Sequence, residues 1–266
     1  MERTATLLTT AVATLLAAAS AQAQEVVQKE LGEGGNPETM ACKYQFTASN
    51  IKWCLTENGN LVSLQSPGTV EHIRYGGGAQ EGYVLCFNGT LRAYDTAALS
   101  AGFGPPTVIV AKSASGITIR RKTLDGYFQL DQKWSRDNAE RDLTVQMTLK
   151  NLGPAGNVVL WRVADLNVDF SLSGAFNNRF DQSHYSLWVR DPVNGRDGVT
   201  MSVLTLGTPN TAALRQYPGS SGLATCSFSA LPYPGGPLDA VGYVVYGFFP
   251  IASGAQKVVK VGYRVQ

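Results

Sequence analysis

The chain has little of what most catalytic and metal centres are built from. Its 266 residues include only two histidines, His72 and His184, too few for a three-histidine zinc site. There is no G-x-S-x-G nucleophile elbow and no H-E-x-x-H pair. The glycine cluster GGGAQEG fits neither the dinucleotide spacing nor a phosphate loop, which would need its lysine. No cofactor or metal is therefore expected. A dominant charge is missing too: 22 Lys and Arg stand against 20 Asp and Glu, a net +2 without basic runs, so nucleic acid is not an expected partner. Past the N-terminus no apolar run approaches the roughly 20 residues of a membrane span, and no membrane span is expected. No Pro- or Ser-rich linker and no internal repeat divides the chain, which points to one large domain.

The N-terminal stretch MERTATLLTTAVATLLAAASAQAQ has a short charged start, an apolar run and the small-residue pattern Ala21-Gln22-Ala23. It reads as a signal peptide over residues 1–23, with the exported chain starting near Gln24 and residing in the periplasm or outside the cell. Residues 24–40 read as an arm, and 41–266 as a single β-sandwich domain.

Within that domain the recurring signal is period two. In DLTVQMTLKNL, Leu143, Val145, Met147 and Leu149 fall on one side and Thr144, Gln146, Thr148 and Lys150 on the other, the pattern of a half-buried strand. The turn NLGPAG then allows NVVLWRVADLNVDF to pair back as a hairpin. Similar segments are ITIRRKTL, YFQLDQKW, HYSLWVRD, VTMSVLTL, AVGYVVYGFF and KVVKVGYRV; only TAALSAG and NTAALRQY look briefly helical. The expected fold class is all-β, a large antiparallel β-sandwich with little helix.

Four cysteines in an exported chain point to two disulfides, with three possible connectivities; a metal site is the competing reading, disfavoured because no C-x-x-C spacing exists. A hairpin CKYQFTASNIKWC centred on Ala48 would pair Phe46 with Asn50 and Tyr44 with Lys52, bringing Cys42 to Cys54 and leaving Cys86 to Cys226.

VADLNVDFSLSGAFNNRFDQSHY, residues 163–185, carries alternating acids. On an extended strand Asp165 and Asp169 share a face but stand roughly 13 Å apart at about 3.3 Å per residue. That is too far for one calcium ion, with ligands at about 2.3–2.6 Å, or for a glycosidase pair at about 5–9.5 Å. Phe170 and Phe176 also occupy the Gly and Glu positions of a calcium loop. The following residues differ: Asn177, Asn178, Arg179, Asp181, Gln182 and His184 stand among Phe176, Phe180 and Tyr185, the mixture of planar polar groups and aromatic faces that sugar recognition uses. The same segment also reads as a surface loop anchored by its aromatics. EHIRYGGGAQEGYVLC contributes Arg74 as a ligand-binding candidate and His72 and Glu81 as acid–base candidates, with a structural histidine and a surface acid as the other reading.

The segments ITIRRKTLDGYFQLDQKW, DLTVQMTLKNLGPAGNVVLWRVADLNVDF and IASGAQKVVKVGYRVQ together resemble galactose mutarotase-like proteins, the supersandwich fold of many carbohydrate-active proteins. The resemblance lies in strand rhythm and the N-L-G-P turn, so it implies fold and not a catalytic position. Carbohydrate is the partner it suggests. The resulting expectation is a secreted or periplasmic sandwich that binds carbohydrate through Arg74, Asn177, Asn178, Arg179, Asp181, Tyr185 and Trp188, with Trp134 and Tyr127 as further stacking surfaces. The alternatives are a glycan-active enzyme (epimerase, lyase or hydrolase) using His184, His72 and Glu81, and a structural envelope protein.

Overall fold

The structure is a computed structural model describing residues 41–48, 50–66, 72–73, 81–96, 99–136, 142–166, 179–183, 185–190, 197–206, 208, 210–216, 224–226 and 240–265; residues 179–182, 190, 197, 214–216 and 240 are described by backbone alone. The expected signal and arm lie outside the described residues.

The described chain is all-β, in three antiparallel sheets. Strands β1 (Tyr44–Thr47), β2 (Lys52–Leu55) and β3 (Leu61–Gln65) form the smallest. A six-stranded sheet contains β4 (Glu81–Phe87), β5 (Thr90–Asp95), β6 (Ser100–Ala101), β11 (Gly156–Ala164), β15 (Asn210–Gln216) and β16 (Ala240–Ile251), in the order β15-β16-β11-β4-β5-β6. The eight-stranded sheet contains β7 (Thr107–Val110), β8 (Gly116–Lys122), β9 (Phe128–Arg136), β10 (Asp142–Asn151), β12 (Arg179–Gln182), β13 (Ser186–Arg190), β14 (Asp197–Val203) and β17 (Gln256–Val265), in the order β12-β13-β14-β17-β10-β9-β8-β7.

Alternation decides which face of the eight-stranded sheet is buried. Leu143, Val145, Met147 and Leu149 on β10 and Val259, Val261 and Tyr263 on β17 are all at 0% exposure. They join Leu85, Val158, Leu160, Val244 and Tyr246 of the six-stranded sheet in one apolar core. The polar residues between them on β10 remain half-exposed. The six-stranded sheet differs, being buried on both faces: Val84, Cys86, Trp161, Val163 and Tyr243 on its far side are at 0–2% exposure. A strand buried on both faces reads as a continuous apolar run, which is why VVLWRVA shows no alternation.

Both disulfides form as expected, Cys42–Cys54 and Cys86–Cys226. The first hairpin, however, pairs Tyr44 with Leu55, Phe46 with Trp53 and Thr47 with Lys52. This register stacks the Phe46 ring on Trp53 at 4.6 Å and buries both, whereas the expected register would have set Phe46 against Asn50. The NLGPAG turn is likewise not a hairpin. β10 pairs with β9 and β17, and β11 with β4 and β16, so the turn carries the chain from one layer to the other. NTAALRQ is strand β15 and not helix, because pairing with β16 over Asn210–Gln216 overrides its weak local preference. In TAALSAG, Ser100 and Ala101 form β6.

Candidate functional site

The turn joining β2 to β3, Thr56–Asn60, is tied to the interior of the sandwich. It closes on itself through Thr56 N–H to Asn60 O at 2.9 Å and Gly59 N–H to Thr56 O at 3.2 Å. Gly59 has φ +88°, a backbone conformation that favours glycine, and a Cβ there would stand 2.8 Å from Gln132 Nε2 and force that amide to shift. The Asn58 carbonyl accepts from Gln132 Nε2 at 2.9 Å and Tyr83 OH at 3.1 Å. The Gly59 carbonyl accepts from Trp134 Nε1 at 3.0 Å and Arg162 Nη2 at 3.3 Å.

Two ion pairs, buried to within 3% exposure, flank this turn. Glu81 at the start of β4 accepts from Arg162 Nε at 2.5 Å, Arg162 Nη2 at 2.7 Å, Tyr263 OH at 2.6 Å and Leu61 N–H at 2.6 Å. These four donors match the roughly four lone-pair directions of a carboxylate. Arg162 also donates through Nη1 to Gln132 Oε1 at 2.7 Å and lies 4.8 Å from the centroid of the Trp134 ring. The second pair joins Asp95 of β5 to Arg121 of β8 at 2.8 Å. Asn58 Nδ2 at 2.7 Å and Asn60 Nδ2 donate to the same carboxylate, and Arg121 Nε reaches the Gly104 carbonyl at 2.6 Å. The Asp95–Arg121 pair links the two large sheets directly, the Glu81–Arg162 pair lies within the six-stranded sheet and reaches the other through Tyr263 and Gln132, and the turn bonds to both pairs.

Burial pushes the Glu81 carboxyl above its ordinary value, opposed by the charge and hydrogen bonds of Arg162 and by Tyr263 and Leu61 N–H. Burial pulls the Arg162 guanidinium down, but the charges of Glu81 and Tyr263 and the hydrogen bonds to them together outweigh it and the net direction is up. Because arginine keeps its proton in proteins, neutralising Glu81 would leave a buried, unmatched guanidinium. The same burial holds the Tyr263 phenol well above its ordinary value, with the Glu81 charge adding to it. This centre holds sheets together and leaves neither Glu81 oxygen free for a substrate, so the acid–base role expected of Glu81 has no accessible carboxyl in this structure. His72 is equally enclosed at 0% exposure, with Nε2 3.1 Å from Ser66 Oγ and its N–H donating to Leu64 O.

The accessible polar chemistry lies on the opposite, open face of the eight-stranded sheet, where the register sets side chains in rows across the strands. One row runs Asp142, Arg264, Thr200, Trp188. In it Arg264 grips Asp142 in a two-point pair, Nε to Oδ1 at 2.7 Å and Nη2 to Oδ2 at 2.6 Å. The next row is made of small residues: Gly116, Ser135, Thr144, Gly262, Ser202 and Ser186. Beyond it lies Thr118, Lys133, Gln146, Lys260. At Thr144 and Gly262 the small residues are flanked on both sides, by Asp142 and Arg264 on one and by Gln146 and Lys260 on the other, a short trench about 13 Å between the backbone positions of its walls, four residues apart on β17, with the Leu204 side chain lying over Gly262. One end of it is a depression of 360 Å³ lined by Asp142, Thr144, Thr200, Ser202, Leu204 and Arg264, among others.

The expected site residues divide accordingly. Trp188 is half-buried in the trench wall, and Asp181 of β12 pairs with it in register; Arg179 pairs with Arg190. Tyr185 is 50% exposed in the turn between β12 and β13, its carbonyl accepting from Val203 N–H at 2.7 Å. Arg74, Asn177, Asn178 and His184 lie outside the described residues, as does Asp169. Trp134, expected as a stacking surface, is buried at 1% exposure, and Tyr127 lies under Arg92, 5.1 Å from ring centroid to guanidinium. Among the described residues no group of three His, Cys, Asp or Glu is placed to hold a metal. The residues missed, Gln132, Arg162 and Arg121, share a signal: each falls on the inward parity of its strand, Gln132 with Leu130 and Trp134, Arg162 with Val158 and Leu160, Arg121 with Ile117 and Ile119.

No protein-family model and no curated protein matches the sequence. Among solved structures, a bacterial glucoamylase complexed with acarbose matches 87% of this chain at TM-score 0.54 and 10% identity, and the chain spans 33% of that protein. A putative aldose 1-epimerase from Escherichia coli K12 matches 84% of this chain and 98% of its own at 12% identity and TM-score 0.46. A galactose mutarotase related enzyme from Lactobacillus acidophilus matches at 84% and 97% coverage, 10% identity and TM-score 0.46. Mutarotase-related proteins, the group the strand rhythm resembles, are thus among the structural matches. At 10% identity the glucoamylase match speaks to fold alone.

Proposed function

We propose that the protein is an exported, non-catalytic carbohydrate-binding sandwich whose ligand lies across the strands in the trench of the eight-stranded sheet. The observation that carries this reading is the trench itself: a hydroxyl-bearing floor of Ser135, Thr144 and Ser202 beside a wall that combines an indole, Trp188, with the two-point Arg264–Asp142 pair. Sugars present hydroxyls around an apolar ring face, so a floor of hydroxyls beside an aromatic and a planar ion pair is complementary to them. Asp181 of β12 continues the row of Trp188 in register, Arg179 stands two residues before it, and the sequence on either side of β12 carries Asn177, Asn178, His184 and Tyr185. Two disulfides and the Ala21-Gln22-Ala23 pattern support export. The burial of His72 and Glu81 favours binding over acid–base chemistry.

Intrinsic fluorescence tests the reading directly. Trp53, Trp134 and Trp161 are at 1–2% exposure and Trp188 alone of the four tryptophans is half-buried, so a bound glycan should change Trp188 emission, and Trp188→Phe should remove most of that change. Arg264→Ala should weaken binding about tenfold. A folded protein that binds nothing on a broad glycan array would overturn the reading.

A further inference from the structure

The open face is electrically one-sided. On its four central strands, β8, β9, β10 and β17, the outward positions carry the cations Arg120, Lys122, Lys133, Lys150, Lys260 and Arg264 and the carboxylates Asp131 and Asp142. Six cations against two carboxylates leave +4 here, whereas the whole chain carries only +2; the remainder of the molecule is therefore at −2, and the positive charge is gathered on this face. Both carboxylates are already taken, Asp131 by Arg120 at 2.6 and 2.7 Å and Asp142 by Arg264. Lys122, Lys133, Lys150 and Lys260 form no described ion pair, and all but Lys150 are exposed. Two of them stand in the second wall of the trench: Lys133 and Lys260 share a row with Gln146 between them, about 10 Å apart at two strand spacings. Lys122 and Lys150 repeat that spacing four residues further along.

We propose that the trench takes an anionic polysaccharide bearing carboxylate or sulfate groups, with Lys133 and Lys260 as the wall that reads its charge. This deepens the carbohydrate reading and rests on it. Free ammonium groups in a regular array are a ready attraction for a chain with regularly spaced anions, and because they have no internal partner, no ion pair must be broken to use them. A nucleic acid fits less well. Single strands are held by stacking on several aromatics, whereas among the described residues the strands of this face offer one half-buried indole, and the chain's pI of about 8.3 is below the strongly basic range of such domains.

The test measures binding of the full exported protein to polygalacturonate and dextran sulfate, to uncharged dextran and carboxyl-reduced polygalacturonate, and to an RNA homopolymer. Each is titrated at ionic strengths of about 0.01 and about 0.15 M, between which the Debye length falls from about 30 to about 8 Å. The expected result is binding of one or both acidic polysaccharides that weakens with salt, a loss of about tenfold in the Lys133→Ala/Lys260→Ala double variant, and recovery in Lys133→Arg/Lys260→Arg. Both lysines are exposed, so the variants should unfold like the parent. Equal, salt-independent binding of the neutral polymers would overturn this inference and leave the carbohydrate reading standing. Preference for RNA would overturn it as well, and failure of every polysaccharide to bind a folded protein would overturn both.

Discussion

The same residue types meet opposite fates on the two sides of the eight-stranded sheet. Inside, Arg162 and Glu81 are at 0% exposure, gripped by Tyr263, Gln132, Leu61 and the Gly59 carbonyl. Outside, Arg264 and Asp142 form a pair of similar geometry at 55% and 26% side-chain exposure. Geometry alone therefore does not distinguish a charge that holds the fold from one that can meet a ligand; the solvent does. A buried charge is costly unless every direction is matched, so it is committed to structure, while an exposed pair is screened and contributes little to stability.

The sharpest way to break this contrast is to remove one buried partner. Glu81→Gln leaves Arg162 without its counter-ion and should lower stability by about 3–5 kcal/mol in denaturant titration; a loss under about 1 kcal/mol would show that the interior pair is no more structural than the outer one. The disulfides extend the contrast from core to periphery. Cys86–Cys226 closes a separation of 140 residues and Cys42–Cys54 only 12, so the chain-entropy estimate assigns them about 5 and about 3 kcal/mol. Replacing Cys86 and Cys226 by Ser should thus cost about 2 kcal/mol more than replacing Cys42 and Cys54, and a reversed order in urea titrations would contradict it.

Alkaline pH tests the interior through its phenols. Burial raises Tyr83 and Tyr263 far above 10 and pushes Tyr94 and Tyr246 up to about 12. A folded-state value above the unfolded one means that stability from the neutral phenol is intact below pH 10 and falls as pH rises beyond it. The slope is about 1.4 kcal/mol per pH unit for each fully buried phenol, Tyr83 and Tyr263. Absorbance at alkaline pH should show these phenols ionising only as the fold is lost, and early reversible ionisation of all 11 tyrosines would refute their enclosure. The smallest effect belongs to the open face: Asp142→Ala should change stability by less than about 1 kcal/mol while weakening glycan binding, because Arg264 loses the partner that orients it.

What could be read without a structure was local. Period two gave β10 with the correct faces from DLTVQMTLKNL and β17 as a strand from KVVKVGYRV, since an apolar residue every second position has only one way to be buried in a sheet. The two disulfide pairs were legible as well, because a short hairpin brings Cys42 to Cys54 whichever of two nearby registers it adopts. Partnership between distant segments was not legible. Whether NLGPAG closes a hairpin or crosses between layers depends on β17 and β16 claiming β10 and β11, some hundred residues further on. NTAALRQ became a strand only because β16 was there to pair with it. Glu81 looked like a surface acid beside glycines until Arg162 and Tyr263 arrived from other strands, 81 and 182 residues away. The trench has no motif at all: Thr144, Ser202 and Gly262 are unremarkable in their own segments and become one floor through register across β10, β14 and β17. Sequence by itself determined the alternating strands such as β10 and which side of them is apolar, because those follow from neighbours two residues apart. Tertiary structure decided the layers, the matched interior charges and the open face, because these depend on which distant strands exclude water from one another.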